Sequence, residues 1–276
     1  MDYRELPEEF LEKMKQFLGE EYPEYLASYE EEPRSGLRVN TGRLTPEQFL
    51  DMAQTADWNL KPVPWTKNGF YYQGERPSRH PWYYAGLYYL QEPSAMSPAA
   101  WLPIKPGDRV LDLCAAPGGK STELAAKLAG TGVLFSNDIS NSRAKALLKN
   151  LEMFGAGNIC VTSEAPEKMA GILPEFFDKI LVDAPCSGEG MFRRDPSMVK
   201  SWNEKGPDYY APLQRQILDC AVQMLAPAGK LVYSTCTFDR DEDEGTIEYI
   251  LEKYPQMAVV PQKPEYGFEG SRGIEG

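Results

Sequence analysis

Histidine is nearly missing from this chain, with His80 the only one in 276 residues. That excludes His-clustered metal sites and weakens any triad built on a histidine base. No apolar run approaches the roughly 18 residues of a membrane span. The start, MDYRELPEEFLEKMKQF, is acidic and amphipathic, neither a signal peptide nor an arginine-rich transit peptide. Cysteine is sparse: the five (114, 160, 186, 220 and 236) are odd in number and form no CxxC. That argues against a disulfide scaffold or zinc ribbon and fits a reducing cytosol. Net positive charge is absent as well, the balance being −12. What remains for chemistry is Cys, Asp, Glu and Lys.

The hydrophobic share of 42% and aromatic share of 12% exclude a disordered chain, and the length suits one large domain or two smaller ones. The acid excess sits at the ends: residues 1–32 hold 11 acids against 3 bases, and 239–276 hold 10 against 4. Residues 33–110 carry 9 bases against 6 acids. Composition therefore leaves an RNA partner open without supporting it, and the first helix reads as a solvated acidic surface.

Leu6, Phe10, Leu11, Met14, Phe17 and Leu18 recur at helical spacing, and Thr45-Pro46-Glu47 opens a second short helix. PRSGLRVNTGRL between them predicts a strand and turn. Residues 61–98, rich in Pro, Gly and aromatics, lack a clean period and read as a connector. From residue 107 short apolar strands alternate with helices: strands at 109–114, 133–137, 158–162, 178–183 and 230–235, helices at 120–129, 141–154, 212–225 and 243–254. This predicts an α/β, Rossmann-like, doubly wound and mostly parallel sheet over residues 99–276, behind a small α+β module at 1–98. Ligands of such sheets bind beyond the carboxyl ends of the strands.

Every distinctive residue lies at one of those ends. In Cys114-Ala115-Ala116-Pro117-Gly118-Gly119-Lys120, small residues let a ligand approach the backbone, and the helix start favours a polar group. It is not a P-loop, because Cys114 stands where that motif needs glycine, and no GxGxxG can be drawn through it. Asp138, 20 residues beyond Gly118, ends the second strand where an acid can hold both ribose hydroxyls. Together they imply an adenosine-bearing cofactor. Glu164 past the third strand is placed to reach the adenine edge, or equally serves a helix N-terminus. Asp183-Ala184-Pro185-Cys186 and Ser234-Thr235-Cys236-Thr237 end the next two strands, so both thiols emerge at one edge and suggest covalent catalysis. Cys160 and Cys220 read as core.

In this order, DLCAAPGGKS, DAPCSGEGMFRRDP and YSTCT closely resemble the Sun-type (NOL/NOP/Sun) RNA cytosine-C5 methyltransferases, bacterial rRNA branch. QEPSAM at 91–96 and LRVNTGRL at 37–44 resemble that family's N-terminal elements. The resemblance covers roughly residues 35–255, and the two cysteine blocks together are highly specific. It implies methyl transfer from S-adenosyl-L-methionine, bound by 114–120, Asp138, Glu164 and Asp183, to C5 of a cytosine in RNA, ribosomal RNA above all. It further implies Cys236 as the nucleophile on C6, Cys186 assisting elimination, Asp183 on N3 and the exocyclic amine, and Lys120 lowering a thiol pKa or holding the base. Arg38, Arg43, Arg193 and Arg194 are candidates for phosphate, each with a plain alternative as surface arginine. A C-terminal RNA-binding domain, frequent in the family, is expected to lie beyond this chain. The expected protein is a monomer of the cytoplasm, with neither metal nor membrane. The alternatives are a transfer-RNA methyltransferase and a ribosome-assembly factor that keeps the fold without the chemistry.

Overall fold

The computed structural model describes residues 3–74 and 76–261. The N-terminal part carries α1 (Glu8–Leu18), α2 (Tyr22–Ala27), β1 (Ser35–Val39), α3 (Pro46–Thr55), β2 (Leu60–Pro62), β3 (Gly69–Tyr72), α4 (Pro81–Tyr84), β4 (Tyr88–Leu90) and α5 (Ser97–Trp101). There follow β5 (Arg109–Asp112), α6 (Gly119–Lys127), β6 (Val133–Asn137), α7 (Asn141–Phe154), β7 (Ile159–Thr162), α8 (Pro166–Ile172) and β8 (Phe177–Asp183). The last are α9 (Ser197–Glu204), α10 (Pro207–Met224), β9 (Leu225–Ser234) and α11 (Glu244–Lys253).

Strands β5 to β9 form one parallel sheet in the order β7-β6-β5-β8-β9. Alternation along β8 shows why it must be covered twice. Ile180 and Val182 join Leu218 and Ala221 of α10 and Ile250 of α11 on one face. Leu181 joins Leu124 and Leu128 of the α6 region on the other. A strand buried on both faces has no polar side to show water, hence its continuous apolar run. The chain winds outward from β5 through β6 and β7, then returns to β8 on the opposite flank. The switch point therefore falls between β5 and β8, and the crevice opens at their carboxyl ends.

The aromatic stretch is not a connector. β3 and β4 pair with β1, and β2 with β3, in a four-stranded antiparallel sheet ordered β2-β3-β1-β4. The strands of this stretch are only three or four residues long. They are held by a T-shaped ring cluster around Phe49, Trp82 and Tyr88 rather than by a pattern that alternation could reveal. The helix from Pro46 begins as expected, with a reciprocal Thr45–Gln48 capping box. The acidic first helix is not merely solvated surface. Phe10 of α1 is fully buried against Phe192 and Trp202 of the α/β part, with ring centroids 5.0 and 6.3 Å away.

Candidate active site

Beyond β5 the backbone turns tightly. Ala115 N–H donates to the Asn137 carbonyl at 2.7 Å, the Ala116–Pro117 peptide is cis, and Gly118 takes φ +110 before α6 begins. That φ belongs to the left-handed region where side chains strain. At Gly119 the constraint comes from the other part of the molecule. A Cβ there would lie 3.1 Å from Tyr89 and 3.2 Å from Gln91 of the N-terminal sheet. Asp138 ends β6 facing this turn with its side chain buried, accepting from Ser140 N–H at 2.9 Å and pairing with Arg143 at 3.3 Å. Arg143 also donates to the Ala116 carbonyl, and beside Asp138 stands Ile139, 69% exposed. Burial, with Asp112, Asp183 and Asp138 nearby, pushes the Cys114 thiol up to about 12. Cys114 is packing, not a nucleophile.

Asp183 and Ser234 are register partners at the ends of β8 and β9, and this pairing brings the two cysteine turns together. The Cys186 and Cys236 sulfurs lie 3.2 Å apart, and Cys236 N–H donates to the Cys186 sulfur at 3.3 Å. Cys186 is 8% exposed, while Cys236 opens to solvent. The hydrogen bond from Cys186 lowers the Cys236 thiol, against burial and Asp183 and with help from Lys120. The same hydrogen bond, then burial, raises Cys186. The contact thus favours the thiolate at the exposed sulfur over the buried one. Lys120 donates to Asp183 at 2.6 Å, and Ser234 donates to the other carboxylate oxygen at 2.8 Å. The pair of strand ends therefore presents an activable thiolate beside a fixed carboxylate.

The expected site residues divide. The 114–120 turn, Asp138, Asp183, Cys186 and Cys236 gather at one edge. The Glu164 side chain pairs with Lys168 at 2.8 Å on the surface. Only its backbone is tied in, both N–H and carbonyl, by the buried Asn137 amide. Arg38 cannot meet a phosphate. It is 1% exposed, and its guanidinium donates to Glu123 at 2.5 Å, to the Gly119 carbonyl and Thr122 at 2.6 Å, and to Gln91 at 3.0 Å. Its place in a short basic stretch concealed that it is the pin between the N-terminal sheet and α6. Arg43 donates to the carbonyls of Met153 and Phe154 at the end of α7. Arg193 and Arg194 donate to the carbonyls of Ser28 and Arg34, again joining the two parts. Asn137, Arg143 and Ile139 escaped sequence reasoning; all three flank Asp138 and could have been sought there.

The architecture and the crevice define a Rossmann-like S-adenosylmethionine-dependent methyltransferase fold. Comparison with known proteins narrows this. The model of the 16S rRNA methyltransferase RsmB/F matches residues 99–272, and that of the N-terminal domain of 16S rRNA methyltransferase RsmF matches residues 6–93. The chain belongs to the RsmB/F family of 16S rRNA methyltransferases. It is 39% identical to ribosomal RNA small subunit methyltransferase F of Enterobacter sp. (strain 638), covering 91% of this chain and 54% of that protein. To the protein of the same name from Escherichia coli O7:K1 it is 37% identical, covering 90% and 54%. The chain spans about half the length of these curated relatives. Among solved structures it resembles a methyltransferase homolog protein from Pyrococcus horikoshii, with TM-score 0.75, 30% identity, and 92% of this chain and 77% of that one covered. It also shares the fold of NSun6 from Pyrococcus horikoshii, solved with SFG, at TM-score 0.81 and 21% identity over 91% and 88% of the two chains.

Proposed function

We propose that this chain is the catalytic part of a cytosolic enzyme that methylates C5 of a cytosine in ribosomal RNA. The observation that carries this is the 3.2 Å contact between a buried and an exposed cysteine sulfur at the strand ends that carry Asp183 and Ser234. S-adenosyl-L-methionine, when bound, supplies an electrophilic methyl group. The residues present suit it: small residues and a left-handed Gly118 leave the backbone of 115–119 approachable. The buried Asp138 carboxylate fits ribose hydroxyls, and Ile139 offers the apolar face against which an adenine lies.

C5 of cytosine is a poor nucleophile until C6 is attacked. The Cys236 thiolate adds to C6, and the electron pair of the C5=C6 bond moves so that C5 becomes enamine-like. Asp183, steadied by Lys120 and Ser234, holds the base at N3 and its exocyclic amine. The C5 so activated is the carbon to which a bound donor would pass its methyl group, the sulfonium S–CH3 bond breaking to leave a neutral thioether. A solvent water acting as base takes the C5 proton, the C5–H pair re-forms the C5=C6 bond, and the C6–sulfur bond breaks to release Cys236 as thiolate. Cys186, buried against the leaving sulfur, assists this elimination. A base that must reach this edge has to be unstacked, which is cheapest in an RNA loop. Bisulfite mapping of a strain lacking the gene tests the reading: one cytosine of the small-subunit RNA should lose its methyl group. An unchanged map would refute it.

A further inference from the structure

The two cysteine turns repeat a spacing. Three residues after Cys186 stands Glu189, and three after Cys236 stands Asp239. The Glu189 side chain is 0% exposed, accepting from the Trp202 indole N–H at 3.0 Å and from Phe238 N–H at 3.1 Å. The cation that completes it comes from neither turn. It is Lys13 of α1, which donates to Glu189 and, at 3.0 Å, to Asp239, whose side chain is 13% exposed. Both carboxylates share one ammonium, so without it two like charges face each other, one with no access to water.

Besides the Phe238 N–H to Glu189 and Cys236 N–H to Cys186 contacts, two further links join the turns. Gly190 N–H donates to the Cys236 carbonyl at 2.9 Å, an approach that leaves a Cβ only 3.0 Å from that oxygen. The Ser187 and Thr237 hydroxyls meet at 2.8 Å. Lys13 closes the far end of this zip, and Phe10 one turn earlier in α1 anchors it on Phe192 and Trp202.

We infer that Lys13 is a positioning residue for the thiol pair, its ammonium clamping the turn after Cys186 to the turn after Cys236 and so keeping the two sulfurs in contact. The first helix, in the acidic opening stretch of the chain, is on this account a working part of the catalytic edge. Burial lowers the pKa of Lys13, but Glu189 and Asp239 more than offset it and hold it above the ordinary value, so the clamp stays charged throughout the neutral range. The inference rests on Cys186 and Cys236 being the working thiols, yet it can be read without RNA or methyl donor.

The test is the rate at which diamide, which takes two electrons and two protons from a thiol pair, links Cys186 to Cys236 in the folded chain, followed by peptide mass. Lys13→Met should slow this link on the order of tenfold, the scale of losing a hydrogen bond between charged groups. Lys13→Arg, which can still bridge both acids, should restore the parental rate. Phe49→Leu, which loosens the N-terminal sheet away from α1, should leave it unchanged. In Lys13→Met the pH midpoint for alkylating Cys236 should also rise. A folded Lys13→Met that cross-links at the parental rate overturns the clamp, even with a shifted midpoint, since Lys13 would then act only as a distant charge. An equal slowing in Phe49→Leu overturns it too. If Lys13→Met does not fold, Lys13→Gln, which keeps one donor, should show the same slowing in smaller measure. A parental rate there is equally contrary. Absence of methyl transfer with the clamp intact would instead count against the proposed activity.

Discussion

The turns after β8 and β9 carry the same equipment, a cysteine followed by a hydroxyl residue at the end of a parallel strand, and they put it to different use. Cys186 is packed beneath Ser187, whose N–H is fixed by the buried Glu242 carboxylate at 2.9 Å. Cys236 sits on the open side, within the influence of Lys120. Residue type made both sulfurs candidates; burial and the hydrogen bond between them separate them. A thiol that keeps its proton is a donor, and a thiol receiving that hydrogen bond is the better thiolate.

The largest expected effect lies in that difference. Cys236→Ala should lose methyl transfer altogether, whereas Cys186→Ala should still methylate once per enzyme and then stop, as single-turnover assays with labelled donor would show. Asp138→Ala should weaken donor binding by about ten- to a hundredfold in calorimetric titration, as expected from losing hydrogen bonds to a charged acceptor. It should leave the alkylation of Cys236 alone, and a change there would mean that the cofactor turn and the thiol pair are not separable. Lys120→Met removes a charge that favours the Cys236 thiolate and not the Cys186 thiol. Thiolate is lost as pH falls through the thiol pKa, so raising that pKa moves the whole rate profile to higher pH. Alkylation of Cys236 at neutral pH should fall by about tenfold for every pH unit that the profile moves, and recover on going alkaline. Arg38→Met should act on neither turn. Breaking a buried pair with Glu123 should cost about 3–5 kcal/mol of stability in denaturant unfolding. The salt dependence of RNA binding should stay as it was.

What could be read from the chain itself follows the same division between local and distant causes. The strand–helix alternation after residue 107 was legible because buried parallel strands are apolar throughout and each helix shows its period. The helix expected at 212–225 starts earlier, at Pro207, because proline suits a first turn and Pro212 is carried within the helix. α8 and α9, of seven and eight residues, were missed, being too short to display a period. The candidate site was legible at strand ends, where Asp138, Asp183 and both cysteines fall by topology. Arg38 and Lys13 were not, since their partners lie 85 and 176 residues away and only the fold brings a basic side chain to a buried acid. Glu164 stands where a ligand acid could stand, and its exposed side chain pairs with Lys168 one helical turn on.

The division of labour between the sulfurs is tested most directly by a denaturing gel of Cys186→Ala and Cys236→Ala, each incubated with substrate RNA and methyl donor. If Cys236 attacks C6 and Cys186 serves release, Cys186→Ala accumulates a protein–RNA band that survives denaturation, and Cys236→Ala shows none. A covalent band in Cys236→Ala alone would contradict the account and make the buried sulfur the nucleophile.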